Sequence, residues 1–73
     1  MQEHHDRPDI RKLEVGLPYL LKHNREHLKD LEKWIRRARD AHRDKVALDL
    51  EKVHELSQEI TFYLEAAVDR LKH

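Results

Sequence analysis

The sequence predicts an all-α protein, an antiparallel helical hairpin preceded by a short helix. Three observations carry that prediction. The 73 residues include one Gly and two Pro, and helix-favouring Leu, Glu, Lys, Arg, Asp and Ala dominate over β-branched types. Two stretches repeat apolar residues at alternating four- and three-residue steps. Between those stretches the sign of the charge inverts, as it does where one helix ends and another begins.

The amino end, residues 1–7, is polar and unpatterned and reads as a flexible tail. The remaining span, 8–73, reads as a single domain. Pro8 suits the first turn of a helix, where no amide donor is needed. Ile10, Leu13 and Val15 give that helix an apolar edge, and Gly16 is placed to close it in a left-handed cap. Pro18 then opens a longer helix.

In the longer helix, Leu17, Leu21, Asn24, Leu28, Leu31, Ile35 and Ala38 fall on one stripe at about 100° per residue. Leu20, His27 and Trp34 flank it. The second stretch repeats the pattern through Val46, Leu50, Val53, Ser57, Ile60, Leu64, Ala67 and Leu71. Narrow seams of this kind are what antiparallel bundles bury. Asn24 and Ser57 interrupt the seams, as polar residues do where they fix register. Trp34 and Tyr63, beside the seams, read as packing residues.

From Tyr19 onward there is no Gly or Pro, so a single uninterrupted rod competes with the hairpin. The hairpin is preferred because the seam slips phase between about Ala41 and Lys45. Arg36, Arg37, Arg39 and Arg43 suit a helix C-terminus, whereas Asp44, Asp49 and Glu51 suit an N-terminus. Asp44 is the candidate N-cap.

Size and charge bound the function. A chain this short hides only about 60% of the surface that its unfolded form exposes, so a metal or a second copy is the usual supplement. Cysteine is absent, which excludes disulfides, thiolate metal sites and thiol catalysis. Lys and Arg number 15, Asp and Glu 15, so no bulk field draws nucleic acid or anionic lipid. No apolar run reaches signal-peptide or membrane-spanning length, and a cytoplasmic location is expected. Ser57 and Thr61 are the only hydroxyl residues besides the tyrosines, no nucleophile–base arrangement accompanies them, and no enzymatic activity is expected.

The second helix carries apolar residues beyond its seam. Leu48, Phe62 and Ala66 lie roughly opposite Val53 and Ile60 and form the candidate interface. With the small core, they point to a homodimer that closes into a four-helix bundle. A structural or adaptor hairpin without metal is the alternative function, and Leu48, Phe62 and Ala66 are its binding face.

Seven histidines stand out in so short a chain. His23 and His27 are four apart, which places their side-chain origins about 5–6 Å from each other on one helix face. Two imidazoles so spaced can reach one cation. Asp30, three residues on, is a candidate third ligand or ring-orienting group, while Glu26 points elsewhere. His54 and the amino-terminal His4 and His5 are candidates to complete the shell. Glu51 and His54 form a Glu-x-x-His step of the kind di-metal bundles use, yet no glutamate occupies the first seam. Imidazoles suit nickel, copper and zinc alike, so nickel or zinc is the expected cofactor class rather than one metal. Ligation needs neutral rings, so binding is expected to weaken as pH falls through about 6.5.

The run Lys12-Leu13-Glu14-Val15-Gly16-Leu17-Pro18-Tyr19-Leu20-Leu21-Lys22-His23-Asn24-Arg25-Glu26-His27, followed by Trp34, resembles a small His-rich helical-hairpin domain of anaerobic bacteria and archaea. That domain reads Leu-Pro-aromatic, then His-Asn-x-x-His, then tryptophan. Its hairpin sometimes accompanies nickel-binding accessory proteins linked to carbon monoxide dehydrogenase. The resemblance implies metal handling and marks His23, Asn24 and His27 as functional positions. It departs at Tyr19, where the family often has histidine, and in lacking the cysteine-bearing nickel domain. A looser likeness to the hairpins of ferritin-like encapsulated iron proteins implies a di-iron bundle as a second alternative, without the inward glutamates such a centre needs.

Overall fold

A computed structural model describes the backbone of residues 3–72 and the side chains of residues 9–72. The chain forms two helices, α1 (Glu3–Asp40) and α2 (Asp44–Lys72), laid against each other in an antiparallel hairpin of 62 × 15 × 14 Å. The expected break falls where the charge inverts, with basic Arg37 and Arg39 in the last turn of α1 and acidic Asp44 in the first turn of α2.

The turn is a Schellman closure. His42 takes the left-handed conformation, with φ of 61°. Its amide donates to the Arg39 carbonyl at 3.0 Å, and the Arg43 amide donates to the Ala38 carbonyl at 2.8 Å. These bonds satisfy carbonyls that the helix end would otherwise leave open. The Ala47 amide then donates to the Arg43 carbonyl at 3.0 Å. Arg43 therefore occupies the capping position, and Asp44 is the first helical residue rather than the cap. Its carboxylate still lies where the positive end of the helix dipole favours it.

The separate short helix expected over residues 8–16 does not occur. α1 runs without interruption through Gly16 and Pro18, and Gly16 has no positive φ. The seam explains this. Leu17 and Leu21 contact α2 on either side of Pro18, and only continuous helix keeps both on one stripe. Pro18 itself is exposed, so the Glu14 carbonyl that lacks its amide partner can be hydrated instead. The expected tail, residues 1–7, lies outside the described side chains.

In α1 the seam is the predicted one. Leu21 and Ala38 are buried, and Leu17, Asn24, Leu28, Leu31 and Ile35 are half-buried. In α2 the seam is rotated by one column. Ala47, Thr61 and Val68 are buried and His54 is half-buried with them, a set that recurs every seven residues. Leu50, Ser57, Leu64 and Leu71 form the second row of the seam. Val46, Val53 and Ile60, expected at its centre, stay 49%, 45% and 52% exposed. Thr61 satisfies its buried hydroxyl by donating to the Ser57 carbonyl at 2.9 Å.

Cross-helix ion pairs accompany the rotation. Arg25 meets Glu65 at 2.5 Å, Arg39 meets Glu51, and His54 meets Glu32 at 3.3 Å. Arg25 and Arg39 are fourteen residues apart, as are Glu51 and Glu65, so one register holds over two heptads. All three pairs lie on the same side of the hairpin. In this register the Glu51–Glu65 column of α2 lies toward α1 on that side, and the Val46–Val53–Ile60 column lies on the other.

Two stability measurements test this description. Replacing Pro18 with Ala restores an amide donor within a continuous helix and is expected to stabilise the fold by about 1–3 kcal/mol. A neutral or destabilising result in urea denaturation would place a real break there. His42→Gly removes the left-handed strain of a residue bearing a Cβ and is expected to add about 0.5–1 kcal/mol. A loss of stability would mean that the imidazole makes a compensating contact at the turn.

Candidate functional site

The predicted metal residues separate into two places. His23 and His27 sit one turn apart near the middle of α1, both exposed. Their Nε2 atoms approach to 2.9 Å, with the rings edge-to-face at a centroid distance of 4.4 Å. Tyr19 stacks on the other side of His23, its ring within 9° of parallel. The three rings follow the i, i+4 column of the helix, which is why they meet without any tertiary contact. At 2.9 Å the two nitrogens are in hydrogen-bond range, and with complementary tautomers one Nε2–H donates to the lone pair of the other. Two imidazoles on a tetrahedral cation sit about 3.3 Å apart, from nitrogen–metal distances near 2.0–2.1 Å. Opening the pair by a few tenths of an ångström and displacing that proton presents both nitrogens to a metal.

Asp30 and His54 do not join them. Among the described residues no group of three or more His, Asp or Glu side chains is placed to hold a metal ion. His54 turns into the seam, its side chain only 19% exposed, and engages Glu32 across the hairpin. Sequence reasoning put His54 about 100° off its seam. The rotation of α2 corrects this, since the column taken as flanking is the one that faces α1. Glu51 of the Glu-x-x-His step is likewise engaged, with Arg39, so that step is a pair of cross-helix contacts here. His4 and His5 lie outside the described side chains.

The outer residues proposed as an interface are partly as expected. Leu48 and Phe62 are exposed, Ala66 is half-buried, and the Phe62 ring meets the Tyr63 edge at 5.3 Å. What sequence reasoning missed is the larger apolar flank. Leu20 and Trp34 of α1 and Val46, Val53 and Ile60 of α2 share the side away from the ion pairs, and all are exposed. Arg37 covers one face of Trp34, its guanidinium carbon 4.8 Å from the ring centre. The signal was present: Leu20, His27 and Trp34 recur every seven residues beside the α1 seam.

A family model described as a domain of unknown function, DUF8180, matches residues 13–71. The chain belongs to this family. The DUF8180 match takes in both helices from Leu13 onward, the His42 turn and the His23–His27 pair. Comparison with curated proteins and with solved structures gives no match.

His54 offers a direct check on the division of roles. A seam imidazole paired only with an exposed carboxylate contributes less than an apolar side chain of similar size. His54→Leu is therefore expected to raise stability by about 1 kcal/mol in urea denaturation. A loss greater than that would show that the Glu32 contact holds the hairpin together.

Proposed function

We propose that this hairpin binds a divalent transition metal, nickel or zinc, through His23 and His27. The observation that carries the reading is the 2.9 Å approach of the two Nε2 atoms on an exposed helix face. The two nitrogens face each other on a side of the helix open to solvent, and a small opening of the pair would turn both toward one cation. The resemblance of His23-Asn24-x-x-His27 to a hairpin that accompanies nickel accessory proteins supports the same class of ligand. Two imidazoles leave coordination positions for water or for groups from another molecule, which suits carriage and transfer better than permanent structural binding. The protein acts as a non-enzymatic binder in this reading, in a cytoplasmic setting.

A second reading is favoured by a separate observation. The exposed Leu48 and Phe62, with the Phe62–Tyr63 ring contact, form an outer apolar patch on α2 for an adaptor contact with another protein. A ferritin-like di-iron subunit gains nothing from the geometry, because Glu51 and His54 are engaged across the hairpin.

Isothermal titration with nickel and with zinc tests the metal reading. Wild type is expected to bind one ion per His23–His27 pair, and His23→Ala/His27→Ala to lose that binding. His42→Gly, which leaves every candidate ligand in place, serves as the control that should retain it. Acidification is expected to weaken the binding, because protonated imidazole cannot ligate. Identical isotherms for wild type and the His23/His27 variant would end the proposal.

A further inference from the structure

We infer that a second copy of this chain docks on the flank formed by Leu20, Trp34, Val46, Val53, Leu56 and Ile60, closing two hairpins into a four-helix bundle. This flank differs from the Leu48–Phe62–Ala66 face expected from sequence; it is argued from apolar residues alone, and His27 of the proposed metal pair lies along it. Phe62 and Leu48 lie on the shoulder of α2 toward the ion-paired side.

The placement follows from the heptad register. With Leu21 and Leu28 in one seam row of α1, and Asn24, Leu31 and Ala38 in the other, the residue before each of the first row falls on one shoulder. Those residues are Leu20 and His27, with Trp34 before Ile35. In α2 the same shoulder is taken by Val46, Val53 and Ile60, each preceding a buried or half-buried Ala47, His54 or Thr61. In an antiparallel pair these two shoulders lie on the same side. The opposite shoulders carry Arg25, Glu32 and Arg39 facing Glu51 and Glu65, where the ion pairs form. One flank of the hairpin is thus apolar along both helices and the other is charged.

The exposed area fits a second copy. The chain exposes 6248 Å², whereas a compact monomer of 8.9 kDa leaves about 4,800 Å² accessible. The excess, about 1,400 Å² per chain, is shared between this flank and the part of α1 that runs past the end of α2, and it leaves room for the roughly 800 Å² per partner that a standard interface buries. Among the described residues the one side chain wholly out of solvent is the small Ala47 and no large one is, so a lone hairpin lacks the dry centre that a folded domain ordinarily has. A shallow apolar depression between Leu56, Ile60, Tyr63 and Leu64 receives side chains from the facing hairpin. Two-fold pairing buries this flank on both copies at once and leaves no unpaired repeat of it. Zero formal net charge adds no repulsion between the copies.

Sedimentation equilibrium on the full chain tests the inference. Wild type is expected at twice the single-chain mass, with a thermal midpoint that rises with protein concentration. Ile60→Glu places a carboxylate where it is half-exposed in one hairpin but desolvated in the pair, and is expected to weaken association at least roughly 100-fold. Phe62→Glu, on the other shoulder, is expected to leave the dimer intact. Because Ile60→Glu could unfold an obligate dimer, Val53→Cys in this cysteine-free chain gives a second readout. Mild oxidation should cross-link it into dimers, and Val15→Cys, on the far side of α1, should not cross-link. A wild type of single-chain mass with a concentration-independent midpoint would overturn the inference. So would a dimer lost in Phe62→Glu and kept in Ile60→Glu.

Discussion

Two helices have a single line of contact, and most of this structure follows from that constraint. A hairpin buries one stripe from each helix and leaves the remaining three-quarters of each surface to solvent. The apolar residues of both helices exceed what one stripe can cover: Leu20 and Trp34 of α1 stay exposed, and Val46, Val53 and Ile60 of α2 adjoin Ala47, Thr61 and Val68 and widen the apolar arc past the contact. Which column of α2 meets α1 is consequently undecided by hydrophobicity. The closure at His42 and the ion pairs of Arg25, Glu32 and Arg39 go with the column that faces α1.

This explains which parts of the fold were legible in the sequence. The α1 seam from Leu17 to Ala38 was readable because its residues recur at regular four- and three-residue steps. The break near Ala41 was readable from the clustered arginines and the acidic residues that follow. The α2 seam was not, since pattern alone centred it on Val53 and Ile60 while in the structure it lies one residue along. Gly16 and Pro18 misled for a different reason. Each is a local signal for a helix end, but Leu17 and Leu21 each gain a contact with α2 only if the helix continues. Proline's cost at an exposed site is limited to one unmade backbone bond and a steric adjustment. Tertiary contact outweighs it.

The candidate site divides along the same line. His23 and His27 were legible because their meeting depends only on helix periodicity, which no tertiary choice alters. His54 was misplaced because its position depends on how α2 is rotated. In the register where Arg25 and Arg39 are paired, His54 lies in the seam and meets Glu32. The residue that sequence reasoning offered as a distant ligand is therefore a cross-helix contact, and the two imidazoles of α1 are left as a pair.

The seam is lined by large apolar side chains, yet Leu17, Leu28, Leu31, Ile35, Leu50, Leu64 and Leu71 are only half-buried in it. Its buried members are Leu21, Ala38, Ala47, Thr61 and Val68, of which two are alanines beside the turn. Small residues there let the helix backbones come close where the chain reverses, at the expense of apolar area per residue. Asn24, Ser57 and His54 further dilute the stripe, and polar groups in a seam favour one register over its neighbours more than they add stability. The exposed shoulder adds Trp34, Val53 and Ile60 among others. Register-setting polar residues thus lie inside the hairpin, while large apolar side chains lie both along the seam and beyond it. One line of contact covers the first set only in part and the second not at all, which is the imbalance that the proposed second copy would relieve.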